Sequence, residues 1–252
     1  CTPPTPGPRR CGTAQRSVNQ TSWGNACCVD SDNGSSSSLG NRLHLLIRNK
    51  SGHMFSQTFG PSDFQSKTGV SRETLARLET YAECLYHWQR HMNLVGRGTI
   101  NDLWHRHFLD SAQLQGLCPS DRLRLVDLGS GAGFPGLVLS IMGQSNVELV
   151  ESNTRKCSFL GEVVRATGAT ARITNVRLEN VSEPDLADVV TSRAVAPLTR
   201  LLGYCSKWLK QDGVALLHKG VTVEQELTEA TKDWTMHVHR HRSQTDPRGV
   251  VL

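Results

Sequence analysis

The sequence lacks several features that would point to particular classes of protein. It has no apolar run of the roughly 18 residues that a membrane-spanning helix needs, and no charged-then-apolar leader. None of its eight cysteines is spaced Cys-x-x-Cys. These absences argue against a membrane protein and against a zinc or dithiol redox site. They predict reduced cysteines in a cytoplasmic protein.

The body of the chain also has little excess charge of either sign. The formal net charge is +5, but residues 1–53 contain six Arg or Lys against two Asp. From Met54 onward there are 22 basic and 21 acidic residues. The overall charge therefore does not by itself indicate a nucleic-acid partner, and any basic footprint must be a local patch.

Residues 1–53 have few apolar side chains and contain a Pro-Pro-Thr-Pro-Gly-Pro stretch and a four-serine run. Such a segment buries too little surface to offset its ordering entropy. We predict that residues 1–53 are disordered or a non-native upstream segment, with Met54 as the natural start; a basic RNA-binding arm is the alternative. Residues 54–117 are predicted as a helical subdomain and residues 118–252 as an α/β domain whose C-terminus is truncated.

Helical periodicity begins at Ser71, a plausible N-cap, and continues through a stripe of apolar residues at three- and four-residue spacing. A second helix is predicted to begin at Thr99, with Asp102 as its capping-box partner, and to end at Gly116. Its aromatic residues are interpreted as core.

After Cys118 the pattern alternates between strands and helices. Strands are predicted near 123–128, 146–151, 171–175, 187–192, 213–218 and 249–252. Helices are predicted near 135–143, 154–167, 197–210 and 223–232. This alternation predicts a mostly parallel sheet covered on both faces. His237, His239 and His241 fall on alternate positions and are predicted to line one sheet face rather than to bind a metal.

The most informative segment follows the first of these strands. Asp127 is followed by Gly129, Gly131 and Gly133, and a helix is predicted to begin at Pro135. Glycines at alternate positions allow a tight turn and let a ligand lie on the backbone. The spacing suits either a dinucleotide or S-adenosylmethionine. Glu151, which closes the second strand, would hold ribose hydroxyls with either ligand.

Two neighbours of the glycines favour S-adenosylmethionine. The Asp127 carboxylate is not needed beside a pyrophosphate but suits a zwitterionic, sulfonium-bearing ligand. The Phe134 side chain would crowd the position that a pyrophosphate occupies. We therefore expect the loop to bind the methyl donor, with Asp127 helping to position its amino-acid portion.

Six motifs between about Leu75 and Leu252 resemble those of one family. They are Arg106-His107-Phe108-Leu109-Asp110-Ser111, the loop ending in Gly133-Phe134-Pro135-Gly136, Glu151-Ser152-Asn153 with Lys156, Thr191-Ser192-Arg193-Ala194-Val195-Ala196, Lys219-Gly220, and Ser243-x-Thr245-Asp246 with Gly249. In this order they resemble the RsmG family (glucose-inhibited division protein B, GidB) of bacterial small-subunit rRNA guanine-N7 methyltransferases.

The resemblance implies a class I S-adenosylmethionine-dependent methyltransferase, with a Rossmann-like, mostly parallel sheet and a small N-terminal helical extension. It implies methylation of N7 of a guanine near position 527 of 16S rRNA, either as free RNA or in a small ribosomal subunit precursor. Because guanine N7 already carries an in-plane lone pair, in-line transfer needs no obligatory general base. We expect a monomer without a metal.

The resemblance also implies a set of site residues. Gly129 and Phe134 would contact the donor, Leu178 and Glu179 would flank its adenine, and Arg193 would be the catalytic residue, orienting either the guanine or the donor carboxylate. The complete predicted donor site is Asp127, Gly129, Gly131, Gly133, Phe134, Glu151, Ser152, Leu178, Glu179 and Arg193. The predicted RNA contacts are Arg106, His107, Arg155, Lys156 and Lys219.

Two other functions are compatible with parts of the sequence. One is an NAD-dependent Rossmann oxidoreductase, although the chain has no Tyr-x-x-x-Lys motif. The other is a non-catalytic RNA-binding relative, which would be expected to have damage at the glycine loop or at Arg193, and none is present. One departure from the family pattern is His218, which stands where an aliphatic or small residue is expected.

Overall fold

The computed structural model describes residues 58–120 and 123–252. The predictions for residues 1–53 and for Met54 lie outside these ranges, and the boundary between residues 117 and 118 stays a prediction. The strands are β1 (Arg124–Leu128), β2 (Asn146–Glu151), β3 (Ala171–Asn175), β4 (Ala187–Arg193), β5 (Leu209–Lys219), β6 (His241–Arg242) and β7 (Val250–Val251). The α-helices are α1 (Pro61–Thr68), α2 (Arg72–Gln89), α3 (Asp110–Ala112), α4 (Gly136–Ile141), α5 (Thr154–Thr167), α6 (Leu198–Trp208) and α7 (Val223–Ala230).

The strands form one sheet in the order β3-β2-β1-β4-β5-β7-β6. Strands β3, β2, β1, β4 and β5 are parallel to one another, and β7 is antiparallel to β5 and β6. This confirms the predicted mostly parallel sheet. The strand β5 begins at Leu209, before its predicted start, and its register with β4 shifts between Ala187 and Val189.

Alternation along the strands supplies a core on each face of the sheet. In β1, Leu125 packs into one cluster and Val126 into the other. Helices α6 and α7 cover the second cluster, while α2, α4 and α5 cover the first. Because parallel strands point the same way, the ends of β1, β4 and β5 that carry polar residues meet at one edge.

The helices begin and end where the local chemistry predicts. The Ser71 hydroxyl accepts a hydrogen bond from the Thr74 amide at 3.1 Å, which confirms Ser71 as the N-cap of α2. The Asn153 side chain caps α5 in the same way. Helix α5 ends at Gly168, whose φ of 63° is the left-handed conformation that glycine adopts without strain.

Helix α2 packs directly against α5 and the glycine loop of the α/β domain. The Arg77 guanidinium donates to the carbonyl of Thr167 at 2.7 Å, and the Trp88 indole donates to Glu162 at 3.0 Å. The Tyr81 hydroxyl donates to the Ala132 carbonyl inside the glycine loop, and its ring stacks on Phe134 with centroids 5.3 Å apart. These contacts fix α2 against the loop that forms the functional site.

The prediction of one continuous helix from Thr99 to Gly116 is wrong. Residues Ile100–Asp102 form a 3₁₀ turn, Trp104–Leu109 form a π-helix, α3 follows, and Gln115–Leu117 form another 3₁₀ turn. Thr99 makes no capping bond, since its hydroxyl donates instead to the Gly96 carbonyl. Short π-helical turns occur frequently at functional sites.

The segment near the C-terminal end of the described chain also differs from its prediction. The alternating residues 234–241 form no strand before His241, and β6 is two residues long. His237, His239 and His241 are all exposed, so they do not line a sheet face together. Trp234 and Met236 are half-buried, and Met236 packs against the core cluster under α6 and α7, so this segment buries apolar side chains without pairing with a strand before His241.

Four free cysteines lie in the described part of the chain, namely Cys84, Cys118, Cys157 and Cys205. Burial raises the pKa of the Cys205 thiol to about 12 and that of Cys118 to about 11, so neither is a thiolate near neutral pH. Within residues 58–120 and 123–252, no three His, Cys, Asp or Glu side chains are grouped to hold a metal ion. None of the helices described is long and apolar enough to cross a membrane.

Candidate active site

The glycine loop between β1 and α4 has the backbone that its sequence predicts. Gly129, Gly131 and Gly133 have φ angles of 70°, 59° and 94°. At Gly129 an added Cβ would lie 2.4 Å from Val195 Cγ2, so no side chain fits there. The Gly129 amide donates to the Val150 carbonyl at 2.8 Å, which holds the loop over the end of β2. The loop is therefore a rigid, bare stretch of backbone that a ligand can approach closely.

This loop forms one wall of a cleft of about 930 Å³ at the carboxyl ends of β1, β4 and β5. Beside it lies a smaller cavity of about 260 Å³, bounded by β2 and by the turn after β3. Four residues line both spaces, namely Gly129, Glu151, Val195 and Ala196. Polar groups thus converge at the switch point of the sheet, where open α/β folds place their ligands.

Glu151 lies at the junction of the two spaces and is 7% exposed. Its carboxylate accepts hydrogen bonds from the Gly131 amide at 2.9 Å and from the Asn153 amide at 2.8 Å. Ser152 lines the smaller cavity next to it. Glu151 therefore joins the glycine loop to the start of α5 and presents a carboxylate to whatever occupies the junction.

The smaller cavity has one apolar and one charged wall. Leu178 is buried and lines it, and its contact with the adenine of the donor stays a prediction. Glu179 also lines it, but its carboxylate accepts hydrogen bonds from Tyr204 at 2.6 Å and from Arg200 at 2.5 Å. The Tyr204 hydrogen bond, with the nearby Arg200, lowers the pKa of Glu179. The cavity therefore presents an apolar side chain on one wall and a polar, charged group on another.

Asp127 is brought to neither space. It is 1% exposed, and its two carboxylate oxygens accept hydrogen bonds from the Thr191 hydroxyl at 2.8 Å and from the Gly136 amide at 3.2 Å. It therefore ties β1 to β4 and fixes the start of α4. The structure gives it a position behind the loop, where it supports the backbone rather than facing the cleft.

Burial raises the pKa of Asp127 to about 6, in spite of its hydrogen bonds. A carboxyl group whose pKa is raised on folding destabilises the folded state as pH rises from its unfolded pKa near 4 to about 6. In Asp127→Asn, the amide can accept from Gly136 and donate to Thr191. Relative to the natural protein, this variant should gain up to about 3 kcal/mol in unfolding free energy between pH 4 and pH 7.

Urea unfolding of both proteins at pH 4, 5, 6 and 7 measures this gain. Asp188→Asn provides the control, because Lys210 lowers the pKa of Asp188 and its titration therefore lies below pH 4. The difference in unfolding free energy between that variant and the natural protein should stay nearly constant from pH 4 to pH 7. If the difference in unfolding free energy between Asp127→Asn and the natural protein stayed constant with pH, the raised pKa of Asp127 would be contradicted.

Arg193 lies at the end of β4 and faces the large cleft. Its guanidinium donates to Asp110 and to the Arg106 carbonyl, both at 3.2 Å, and lies 2.8 Å from His107 Nδ1. It also lies over the Phe134 ring, 5.2 Å from the centroid. The guanidinium is therefore held in one orientation, and it is 19% exposed toward the cleft.

His107 is one of the groups that fix this orientation. Its Nε2 atom lies 2.8 Å from the Thr99 hydroxyl. Burial, together with the positive charge of Arg193, lowers the pKa of His107 to about 3. His107 is therefore neutral near pH 7, and Nδ1 accepts the hydrogen bond from the Arg193 guanidinium.

The predicted RNA contacts fall into three groups. Arg106 and Lys156 line the cleft with His107, and Arg106 pairs with Asp246 at its rim at 3.4 Å. Arg155 does not line the cleft. Lys219 lines it, but its side chain is only 7% exposed, and its ammonium group donates to Glu226 at 2.7 Å and to the Ala196 carbonyl at 3.0 Å. Lys219 is therefore occupied in joining β5 to α7.

Sequence reasoning missed the residue that organises the cleft, Asp110. Its carboxylate accepts hydrogen bonds from Arg193 and, at 2.6 Å, from the Thr245 hydroxyl, and lies 3.5 Å from His218 Nδ1. Burial opposes its ionisation, yet His218, Thr245 and Arg193 together hold its pKa below the usual value. Asp110 was quoted only as part of a family motif, and its partners are too far away in sequence to be found from it.

His218, the departure from the family pattern, belongs to the same cluster. Burial lowers its pKa to about 4, so it is neutral near pH 7. Its Nε2 atom is buried without a hydrogen-bond partner among the described residues. The position thus carries a polar ring beside Asp110, where an aliphatic side chain was expected.

The sheet order, the glycine loop after β1 and the acid at the end of β2 define a Rossmann-like class I methyltransferase fold. The profile of the family described as "rRNA small subunit methyltransferase G" (GidB) matches residues 74–247. The chain belongs to this family, as the sequence motifs predicted. Membership in a methyltransferase family decides against the oxidoreductase that the glycine spacing had left open.

Relatives in this family match nearly their whole length. The chain is 53% identical to ribosomal RNA small subunit methyltransferase G of Paramagnetospirillum magneticum over 193 residues, covering 77% of this chain and 94% of that protein. It is 50% identical to the Rhodospirillum centenum protein of the same name, covering 77% of this chain and 90% of that protein. It is also similar to a solved TehB-like SAM-dependent methyltransferase from Corynebacterium glutamicum, at 17% identity and a TM-score of 0.47, over 70% of this chain and 96% of that one.

Proposed function

We propose that this protein transfers a methyl group from S-adenosylmethionine to N7 of a guanine in 16S rRNA, near position 527. The observation that carries the proposal is the junction of two spaces at the bare backbone of Gly129. The smaller cavity suits the adenosine part of the donor. The large cleft has room for the amino-acid part of the donor and for the target guanine. Family membership supplies the expected substrate class.

The residues around the junction fit the donor. Position 129 has no room for a side chain, and its glycine exposes backbone on the cleft side. Glu151 presents a carboxylate where ribose hydroxyls would lie, with Ser152 beside it. Leu178 provides an apolar surface for the adenine ring, and Glu179 lies at its edge. Gly131 and Phe134 line the cleft on the side where the methionine portion would lie, whereas Gly133 does not line the cleft and packs against Tyr81 and Leu137.

When bound, S-adenosylmethionine supplies an electrophilic methyl group on a positively charged sulfur. Guanine N7 attacks that carbon as the bond to sulfur breaks, so no residue has to remove a proton. The chain then has to hold the base in line and exclude water. Arg193 is suited to orient the guanine, because a guanidinium can donate to O6 or hold a neighbouring phosphate bidentately and leave the N7 lone pair free to attack.

We further propose that Arg106 and Lys156, at the cleft wall, contact the RNA backbone beside the target base. A base that is looped out or flipped from its stack would reach the cleft, whereas a stacked base would not. Arg155 begins α5 next to Lys156 and would extend the same surface. We place the protein in the cytoplasm as a monomer acting on 16S rRNA or on a small-subunit precursor.

The proposal is tested by measuring methyl transfer from labelled S-adenosylmethionine. The acceptors are small-subunit RNA and small-subunit particles from cells that lack this family's enzyme. Cleavage selective for N7-methylguanine then maps the product. One stoichiometric site near position 527 is the expected result. Donor binding without transfer to RNA or particles would support a non-catalytic relative instead. No donor binding in calorimetry would overturn the assignment of the glycine loop.

A further inference from the structure

The segment after α2 carries a second, smaller basic surface outside the cleft. A depression of about 310 Å³ is lined there by Gln89, Arg90, His91, Met92, Asn93, Arg97 and Ile100. None of these lining residues is acidic. Arg90, His91, Asn93 and Arg97 are exposed. The chain as a whole is nearly neutral after Met54, so a depression with two arginines and no carboxylate is a local exception.

The two arginines of this depression are not used by the fold. In the described ranges, neither the Arg90 nor the Arg97 guanidinium forms an ion pair or a side-chain hydrogen bond. By contrast, Arg106 and Arg193 pair with carboxylates, and Arg77 donates to backbone carbonyls. Two unpaired guanidinium groups that line one depression can hold an anion between them.

The backbone beneath the arginines is held in place by one side chain. The Gln89 amide oxygen accepts hydrogen bonds from the Leu94 and Val95 amides at 2.9 Å and 3.1 Å, and its nitrogen donates to the Val95 carbonyl at 2.9 Å. Leu94 and Val95 are both buried by this arrangement. The loop is therefore preorganised, which reduces the entropy lost when a ligand binds.

The same loop connects the depression to the cleft. Leu94, Val95 and Thr99 line the large cleft, while Arg90 and Arg97 line the depression. A strand whose base enters the cleft would therefore pass this loop within a few nucleotides. RNA carries a phosphate at every nucleotide, and arginine is a frequent partner of phosphate oxygens.

We propose that Arg90 and Arg97 bind backbone phosphate of the RNA substrate at this depression, a few nucleotides from the methylated base. The inference rests on the proposed function, since it takes the substrate to be RNA. The contact contributes affinity and placement of the strand, while the methyl donor lies elsewhere. The charge of the arginines, rather than any base contact, accounts for the binding.

The test compares RNA binding by the natural chain and by R90Q/R97Q over a series of salt concentrations, using a fragment of small-subunit RNA. Loss of the contacts should make the slope of log affinity against log salt shallower by about 1.4, or about 0.7 per phosphate contact on single-stranded RNA. KM for the RNA should rise about tenfold. Donor affinity in calorimetry should be unchanged. The R90K/R97K variant keeps both charges and should keep the slope.

The matched control is K67Q/R72Q, which removes the same charge from exposed positions in the last turn of α1 and at the start of α2. Arg72 and Arg90 are about 27 Å apart by the helical rise. An unchanged slope in R90Q/R97Q, or an equal change in K67Q/R72Q, would overturn the proposal. Failure of the proposed function itself would show differently, as absence of methyl transfer by the natural chain.

Discussion

Methyl transfer should fall at least about 100-fold when Arg193 is replaced by lysine, because a preorganised group at the reacting base would be lost. The guanidinium simultaneously holds the Asp110 carboxylate, the Arg106 carbonyl and His107 Nδ1. A lysine ammonium has no planar fork and cannot satisfy these three acceptors and also orient a base. The buried Asp110 would then lose a partner, which costs stability as well.

The measurement is the single-turnover rate of methyl transfer at saturating RNA, with donor affinity measured by calorimetry. The two predicted roles of Arg193 differ in the second quantity. If Arg193 orients the guanine, donor affinity should change little. If it holds the donor carboxylate, donor affinity should fall with the rate. Arg165→Lys, at an exposed position in the last turn of α5, is the matched control and should leave the rate unchanged.

Asp110→Asn tests the network that positions this arginine. The variant keeps the shape of the side chain but weakens its charge-assisted bond to Arg193 and leaves the Thr245 hydroxyl bond possible. The rate should fall about tenfold, with folding monitored by thermal unfolding.

A rate for Arg193→Lys within about threefold of the natural protein would contradict a central role for the guanidinium in positioning the base.

The sheet was predictable because each of its inner strands is a short apolar run bounded by turn residues. Strand β2 and helix α5 were predicted within the bounds the structure has, and Asn153 and Gly168 mark the ends of that helix by their own chemistry. The glycine loop was predictable for a related reason, since its three positive φ angles require glycine. In each case the decisive interaction is local in sequence.

The rest of the site depends on contacts that leave no local signal. Asp110 and Thr245 form one hydrogen bond across 135 residues of sequence. Lys219 looked like a free cation at a strand end, but the fold pairs it with Glu226 on α7. Asp127 was expected to face the donor, and the tertiary structure turned it toward Thr191 instead. The π-helix at Trp104–Leu109, which buries four of its six side chains, likewise has no signal in the local sequence pattern.

Replacement of Gly129 by alanine should lower the affinity for the donor at least about tenfold. The φ of 70° places the new residue in the left-handed region, which costs an L-residue roughly 1–2 kcal/mol. Its Cβ would also lie 2.4 Å from Val195 Cγ2. Val195 lines both spaces, so the clash must displace either the loop or the wall of the donor site. We expect a further destabilisation of about 1–3 kcal/mol from this overpacking.

Gly131→Ala separates the two causes, because Gly131 has a φ of 59° but only one neighbouring atom within 4 Å of an added Cβ, the Gly129 carbonyl oxygen at 3.8 Å. It should therefore show the conformational cost without the clash, and unfold with a smaller loss of free energy than Gly129→Ala. The double variant Gly129→Ala/Val195→Ala removes the methyl groups of Val195 that would clash and should recover part of the lost stability. Equal unfolding free energies for the two single variants would show that contact with Val195 is not what requires glycine at position 129. Recovery in the double variant would show that it is.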